Sequence, residues 1–247
     1  MARLAVGLIL LAVWELSVRA LAPAYVAKPS TVVTALPRVL TDDKFWSATA
    51  VTLSAVAEGL GIAILLGAAI GLCLGRLRLV DAFLRHYVSG LYAVPMVVAL
   101  PLFSLWFGYT SAARLATIIF ASIFSIILNV ADGARSVPRE HTEVASSFRS
   151  GPFRALRDVV LPSATPYLLS GIRLAAGRAL IAAVVAEFYL AIGGLGYFIL
   201  FNSRTFRHSE AFVGVLLLAG FGVGFELIVA WATRRFLPWY RRDGQGS

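Results

Sequence analysis

A few charged side chains inside long apolar segments are the residues of this chain with the most chemical potential. Arg178 and Glu187 lie in one such segment, and Glu58 and Glu226 lie in two others. A charge within a bilayer costs about 2.5–3.5 kcal/mol on insertion scales, so such groups usually face a bundle interior or a water-filled path. We predict that Arg178, Glu187 and Glu226 belong to such a path or its gate. The alternative is structural ion pairing, or snorkelling near the end of a span.

Arg178 and Glu187 differ in their sequence surroundings. Arg178 lies deep in its segment, where it could attract an anionic solute or be neutralised by Glu226. Glu187 lies near the end of the segment, close to the glycine-rich stretch Gly193–Gly196. Because glycine-rich chain changes shape easily, we predict that Glu187 belongs to an outer gate.

Two prolines interrupt the apolar run of residues 87–107. Pro95 and Pro101 each lack a backbone N–H and should kink a helix. The carbonyl groups freed in this way need protein or cavity water as partners within a membrane. We therefore predict that Pro95 and Pro101 lie on a helix that lines the path.

The sequence contains no recognisable catalytic constellation. It has no nucleophile–base motif, no metal-ligand spacing and no GxxxxGK[ST] loop for a nucleotide phosphate. The single cysteine, Cys73, excludes an intrachain disulfide, and the three histidines are scattered. We expect no catalytic residue, no bound metal and no cofactor in this chain, which therefore cannot hydrolyse ATP alone.

The composition indicates a protein that crosses a membrane several times. Of the 247 residues, 59% are hydrophobic and only 14% are charged, whereas soluble domains carry about 25% charged residues. The net charge of +9 does not indicate nucleic-acid binding, because no basic run is interleaved with aromatic residues.

The apolar runs predict an all-α protein with about six transmembrane helices. A span needs roughly 20 apolar residues, and we place spans at 4–21, 51–74, 87–107, 115–130, 167–192 and 211–231. We interpret the first run as a retained helix and not as a signal peptide, because Trp14, Glu15 and Arg19 interrupt it. The chain is expected to form one domain, 1–247, with a core over residues 48–233. The glycines of the second span, several of them four residues apart, predict close packing of helices.

The distribution of positive charge predicts that both termini are cytoplasmic. With that orientation, thirteen of the 22 lysines and arginines lie inside and seven outside, and Arg173 and Arg178 lie within a span. An excess of Lys and Arg marks the cytoplasmic side. The loop over residues 132–166 is then cytoplasmic.

The segment Glu143–Pro162 of this loop has the pattern of a docking surface. Gly151 and Pro152 should break one short helix and begin a second, amphipathic one. In the second helix, Phe153, Leu156 and Val160 recur on one face, and Pro162 and Pro166 are expected to end the segment. The alternative is a surface helix that lies on the bilayer with its arginines at the lipid headgroups.

This segment resembles the EAA signature of permease subunits of bacterial ATP-binding cassette (ABC) importers, the binding-protein-dependent inner-membrane components. Glu143, Ala145, Leu161 and Pro162 fall at the family's spacing, whereas Arg149 stands where the family has Gly and Val144 replaces an Ala. In the family the loop forms a coupling helix that fits a groove on the ATPase. The resemblance thus implies a coupling site at Glu143, Ala145, Arg149, Gly151, Phe153, Leu156, Leu161 and Pro162.

Other segments extend the resemblance to the nitrate, sulfonate and taurine branch of that family. They include Pro95–Leu102, Gly171–Arg173, Val185–Glu187 and Gly194–Gly196. The resemblance implies a type I (MetI-like) importer fold in the bacterial inner membrane. It also implies a separate ATPase that uses ATP and Mg, a second permease copy, membrane lipid, and a periplasmic or lipid-anchored solute-binding protein.

The implied function is passage of a small, anionic or polar solute that the binding protein delivers. The runner-up is an autonomous proton-coupled carrier that uses Glu58, Glu187 or Glu226 as its proton site. A membrane scaffold without solute flux is a third class.

Overall fold

The computed structural model describes residues 2–21, 26–138, 140, 147 and 151–236. Its regular elements are α1 (Ala2–Leu21), α2 (Pro29–Leu40), α3 (Asp43–Arg76), α4 (Arg78–Ala93), α5 (Met96–Phe107), α6 (Ser111–Arg135), α7 (Pro152–Ala155), a π-helical turn (Leu156–Val160), α8 (Leu161–Leu190), α9 (Leu195–Arg204) and α10 (His208–Phe236). Every one of these elements is helical, so the predicted all-α fold is confirmed.

Four of these helices are long and apolar enough to cross a membrane. They are α3, α6, α10 and the helical run Phe153–Leu190 that ends with α8, and the bent pair α4–α5 makes a fifth if it counts as one span. Helix α1 coincides with the predicted first span and exposes apolar side chains such as Leu8 and Leu16. All six predicted spans therefore lie in helices over most of their length, and α3, α6 and α10 extend beyond the predicted bounds.

The predicted third span is not one continuous helix. Helices α4 and α5 meet at an angle of 99°. Pro95 forces the residue before it out of the helical region, and Val94 accordingly has an extended ψ of 123°. Pro101 lies inside α5, which continues to Phe107. The break therefore occurs at Pro95, and α5 stays helical through Pro101.

The predicted end of the loop segment at Pro162 and Pro166 is also wrong. The helical run continues through both prolines to Leu190. The π-helical turn just before Pro162 explains this, because the N–H of Leu161 bonds to the carbonyl of Leu156, five residues earlier. This register shift absorbs the hydrogen bond that proline cannot donate.

The core forms where α6 packs between α3 and α8. Helix α8 contributes a series of small buried side chains, which bring its backbone close to α3 and α6: Ala175, Ala176, Ala179, Ala182 and Ala183. A second apolar cluster joins α2, α9 and α10 near Phe45. We call the end of the bundle where α6 ends and α7 begins the loop end, and the end with residues 191–195 the turn end.

The predicted close packing of the glycine-rich second span occurs between α3 and α6. A Cβ atom added at Gly71 would lie 2.7 Å from the carbonyl oxygen of Ile127, and one at Gly75 would lie 2.5 Å from the Ala134 Cβ. A Cβ atom at Gly61, on the same helix, would meet nothing within 4 Å. Gly71 and Gly61 therefore form a matched pair, one in close contact with α6 and one on an open face.

We expect Gly71→Ala and Gly61→Ala to change stability in opposite directions. At Gly61, alanine removes the helix penalty of glycine and should stabilise by up to about 1 kcal/mol. At Gly71 the added methyl meets backbone, and such overpacking should destabilise by about 1–3 kcal/mol. Thermal unfolding of both variants in detergent measures the difference, and a loss of similar size in both would contradict close packing at Gly71.

Candidate functional site

A buried polar cluster joins α3, α6, α8 and α9 at the turn end. The Glu187 carboxylate, with 0% of the side chain exposed, is at its centre. It accepts hydrogen bonds from Thr52 Oγ1 at 2.8 Å, from Arg114 Nη1 at 3.1 Å and from the Gly196 N–H at 2.8 Å. The charge of Arg114 compensates that of the carboxylate, so the cluster links four helices through one paired charge.

The same cluster fixes the turn between α8 and α9. Arg114 Nη1 donates to the Gly193 carbonyl at 3.0 Å, and the Leu195 N–H donates to Thr52 Oγ1 at 2.7 Å. Gly194 has φ of 152°, which side chains rarely adopt, and a Cβ atom there would overlap the Glu187 carboxylate. The glycine-rich stretch is therefore required by the close approach of Glu187.

Sequence reasoning found only part of this cluster. It placed Glu187 next to the glycine-rich stretch, which the contacts with Gly194 and Gly196 bear out. The predicted fourth span began only at residue 115, whereas α6 begins at Ser111 and Arg114 is 8% exposed. The position of Arg114 directly before the apolar run 115–130 is the feature of the sequence from which its burial could have been predicted.

A second charged group, Arg178, lies about midway along α8. Its guanidinium carbon lies 4.3 Å from the centre of the Tyr92 ring on α4, a cation–π contact. Its Nη1 atom is buried and has no hydrogen-bond partner in the part of the chain that the structure describes. The suggested neutralisation by Glu226 is wrong, because Glu226 pairs with Arg173 at 2.7 Å.

Arg178 borders two cavities. The first, of about 170 Å³, lies between α4, α5, α6 and α8 and is lined by Tyr92, Val94, Met96, Phe120 and other apolar residues. The second, of about 440 Å³, lies between α8 and α10 and also contacts Arg173 and Glu226. The two residues on either side of Pro95 line the first cavity, so the break at Pro95 forms part of its wall. Pro101 is exposed on α5 and lines neither cavity.

The described part of the predicted coupling segment projects one aromatic side chain. Helix α7 begins at Pro152, directly after Gly151, as predicted. Phe153 is 76% exposed, whereas Leu156 and Val160 pack against Ala134 and neighbouring apolar residues. The predicted common face is therefore divided, since two of its residues anchor the segment and Phe153 points away.

The remaining predicted coupling residues are placed as follows. Leu161 and Pro162 are exposed at the start of α8, and Gly151 is exposed before α7. Glu143, Ala145 and Arg149 lie outside the described residues.

An ionic cluster that sequence reasoning missed lies at the base of this segment. Arg135, at the end of α6, pairs with Asp81 of α4, and Arg85 of α4 lies 3.3 Å from Asp132 of α6. Arg135 also donates to the Leu74 carbonyl near the end of α3 at 3.4 Å. These contacts hold the ends of three helices together where the loop begins.

Comparison with known proteins identifies the chain's relatives. The family described as "Binding-protein-dependent transport system inner membrane component" matches residues 59–242. The bicarbonate transport system permease protein CmpB of Synechococcus elongatus is 29% identical, over 78% of this chain and 69% of that protein. The taurine transport system permease protein TauC of Escherichia coli is 26% identical, over 94% of this chain and 87% of that protein.

A solved structure supports the same fold. The crystal structure of an amino acid ABC transporter with histidines matches with a TM-score of 0.66 and 19% identity, and covers 85% of this chain and 99% of that chain. The match supports the predicted importer fold, and the taurine relative confirms the predicted branch. With the family match over residues 59–242, these findings show that the chain belongs to the binding-protein-dependent inner-membrane components and is a permease subunit of an ABC importer.

Proposed function

We propose that this permease couples to a separate ATPase through the segment that begins at Gly151, and that Phe153 is the main docking side chain. The observation that carries the proposal is the 76% exposure of Phe153 at the start of a short helix whose next residues are anchored on the bundle. Large aromatic side chains that fill pockets dominate the binding energy of many interfaces. The partner binds ATP and Mg, and this chain transmits the resulting movement.

The loop end then faces the cytoplasm, with both termini on that side. The supporting observation is the excess of lysine and arginine in the segments at this end. The Asp81–Arg135 pair and its neighbours stiffen the base of the segment, so that a displacement of α7 moves α4 and α6 together. Rigid-body movement of this kind can open a path toward the opposite side.

We further propose that two copies of the chain frame one path. Glu58 is exposed on α3, about 22 Å along the helix from its start at Asp43, by the usual rise per residue. A carboxylate at that depth is costly in contact with lipid and is expected to face protein or cavity water. A second copy packed on this face would cover Glu58.

The solute is proposed to be small and anionic or polar, and a solute-binding protein delivers it at the turn end. Arg178 and the break at Pro95 border the cavity between α4, α5, α6 and α8, and Glu187 fixes the turn that faces the delivery side. A proton-coupled carrier is disfavoured, because Glu187 and Glu226 are both engaged in ion pairs with arginines. Glu58, the third candidate, is exposed on α3 and is assigned above to the contact between two copies.

Purification of the tagged chain from its native membrane in mild detergent tests the partners directly. We expect mass spectrometry to find an ATP-binding subunit at near-equal stoichiometry, and ATP hydrolysis to rise when a solute-binding protein and its solute are added. Recovery of the chain alone, together with solute uptake into liposomes driven only by a proton gradient, would refute the proposal.

A further inference from the structure

We propose that Arg178 is an anion-binding residue of the solute path, and that its guanidinium leaves the Tyr92 ring to bind a small anion at the α4–α5 break. The proposal deepens the function proposed above and rests on it, because it assigns a solute class and a binding residue to the cavities of this permease. It follows from the charge balance around Arg178, from the depth of this residue and from the lining of the cavities.

No carboxylate in the described part of the chain compensates the charge of Arg178. Among the residues that the structure describes, no acidic side chain forms an ion pair with Arg178, and its buried Nη1 atom lacks any acceptor. Glu226 borders the larger cavity with Arg178 but pairs with Arg173. An arginine in the interior of a membrane protein normally has an anionic or carbonyl partner. A bound anion would supply the acceptor that Arg178 Nη1 lacks.

The Tyr92 ring provides a replaceable partner. A ring face attracts a guanidinium more weakly than a bidentate oxyanion does, because the oxyanion carries full charge and accepts two hydrogen bonds. The contact at 4.3 Å can therefore hold Arg178 while the site is empty and give way when an anion enters. Tyr92 belongs to the last turn of α4, next to the break at Pro95.

The cavity beside Tyr92 suits a small oxyanion. Its volume of about 170 Å³ is several times the roughly 30 Å³ that one water molecule occupies in the liquid. Arg178 is the only charged residue among those that line it, and the others are aliphatic or aromatic. The planar fork of arginine matches the geometry of carboxylate-like and nitrate-like groups.

A lipid phosphate is the other possible source of an oxyanion, and the depth of Arg178 argues against it. Arg178 lies about 25 Å along the helix from Leu161 and about 18 Å from Leu190, by the rise per residue. It therefore lies far from both ends of α8, where headgroups would be. A solute anion in the cavities beside α8 fits this position better.

The test is anion-dependent thermal unfolding of the full chain with its co-purified partners. The protein is placed in nanodiscs of phosphatidylcholine and titrated with sodium nitrate, sodium bicarbonate and sodium methanesulfonate, at ionic strength balanced with sodium chloride. An anion that binds the folded state raises the unfolding temperature according to its concentration and affinity. We expect at least one of the three anions to raise it, both in the parent protein and in the control Arg204→Ala at the turn end.

The variants separate binding from structure. Arg178→Ala should weaken anion binding, so that the half-saturating anion concentration rises by at least about tenfold, the effect of losing a charged hydrogen bond. Arg178→Lys keeps the charge without the planar fork and should weaken it by less, which covers the case in which the alanine variant does not fold. Tyr92→Leu should lower the half-saturating concentration, because the competing ring is gone, a result that a purely structural role does not predict.

Several results would overturn the proposal. One is the absence of any anion effect on the parent protein, and another is an undiminished effect in Arg178→Ala or Arg178→Lys. A third is loss of the effect in nanodiscs of phosphatidylglycerol, with a higher unfolding temperature before titration, which would assign the site to a lipid headgroup. If the ATP-binding subunit co-purifies but no anion acts, this inference fails alone, and the proposed coupling function stands.

Discussion

The variant Glu187→Ala is expected to lose about 3–5 kcal/mol of folding stability, the usual cost of breaking a buried ion pair by removing one partner. The substitution leaves Arg114 buried with an uncompensated charge. It also removes the acceptor for Thr52 Oγ1 and for the Gly196 N–H. Because the turn between α8 and α9 depends on these bonds, solute uptake should fall together with stability.

A double variant tests the physical reason. Replacing both members of a buried pair with apolar residues is often neutral or stabilising, so Arg114→Leu combined with Glu187→Leu should recover much of the stability that either single variant loses. Chemical denaturation in detergent, followed by circular dichroism, measures all three. Recovery of folding without recovery of uptake would show that the charges act in the path as well as in the turn.

The exposed pair Arg173–Glu226 provides the matched control. Its side chains are 52% and 59% exposed, and pairs of that kind contribute at most about 1 kcal/mol. Glu226→Ala should therefore cost much less stability than Glu187→Ala. Equal losses in the two variants would contradict the assignment of Glu187 as the centre of a buried cluster.

The sequence predicted the helices well because an apolar stretch long enough to span a membrane has few alternative structures. The predicted spans at 51–74 and 211–231 correspond to α3 and α10, which extend beyond them at both ends. Helix ends were predicted less well, because caps and polar first turns such as Asp43 lie outside the apolar run. The amphipathic helix α2 was missed for the same reason.

The candidate site was harder to predict, because its contacts join residues far apart in the chain. Thr52, Arg114 and Glu187 come from three helices, and nothing in local composition brings them together. The suggested pairing of Glu226 with Arg178 was wrong. Arg173 and Arg178 lie on the same helix, and only the packing of α8 on α10 selects between them. The break at Pro95 was predicted as a kink, whereas its size, an angle of 99°, could not be predicted from the proline alone.

The glycine contacts show where sequence reasoning works at a distance. Small residues spaced four apart on α3 predicted a close helix neighbour, and Gly71 and Gly75 indeed face α6. The spacing did not reveal that Gly61 lies on an open face. Periodicity thus indicated that a close contact exists, while the choice of face required the partner helix.

Phe153→Ala is expected to uncouple the permease from its ATPase without loss of the protein from the membrane. A central aromatic residue of an interface typically contributes 2 kcal/mol or more, so the affinity for the ATP-binding subunit should fall at least about thirtyfold. Because Phe153 is 76% exposed, its removal should leave the unfolding temperature of the chain unchanged. Co-purification and solute-stimulated ATP hydrolysis measure the loss.

Phe206→Ala is the matched control, because Phe206 is 69% exposed but lies at the opposite end of the bundle. It should keep the ATP-binding subunit at the stoichiometry of the parent protein. Gly151→Trp adds a large ring to the same surface, and a Cβ atom at Gly151 meets nothing within 4 Å, so the described part of the chain can accommodate the substitution. Gly151→Trp should block docking of the ATPase, whereas Phe153→Ala weakens it. If both variants kept normal uptake and a bound ATPase, the contact would lie elsewhere, and α7 would be a surface helix at the lipid headgroups.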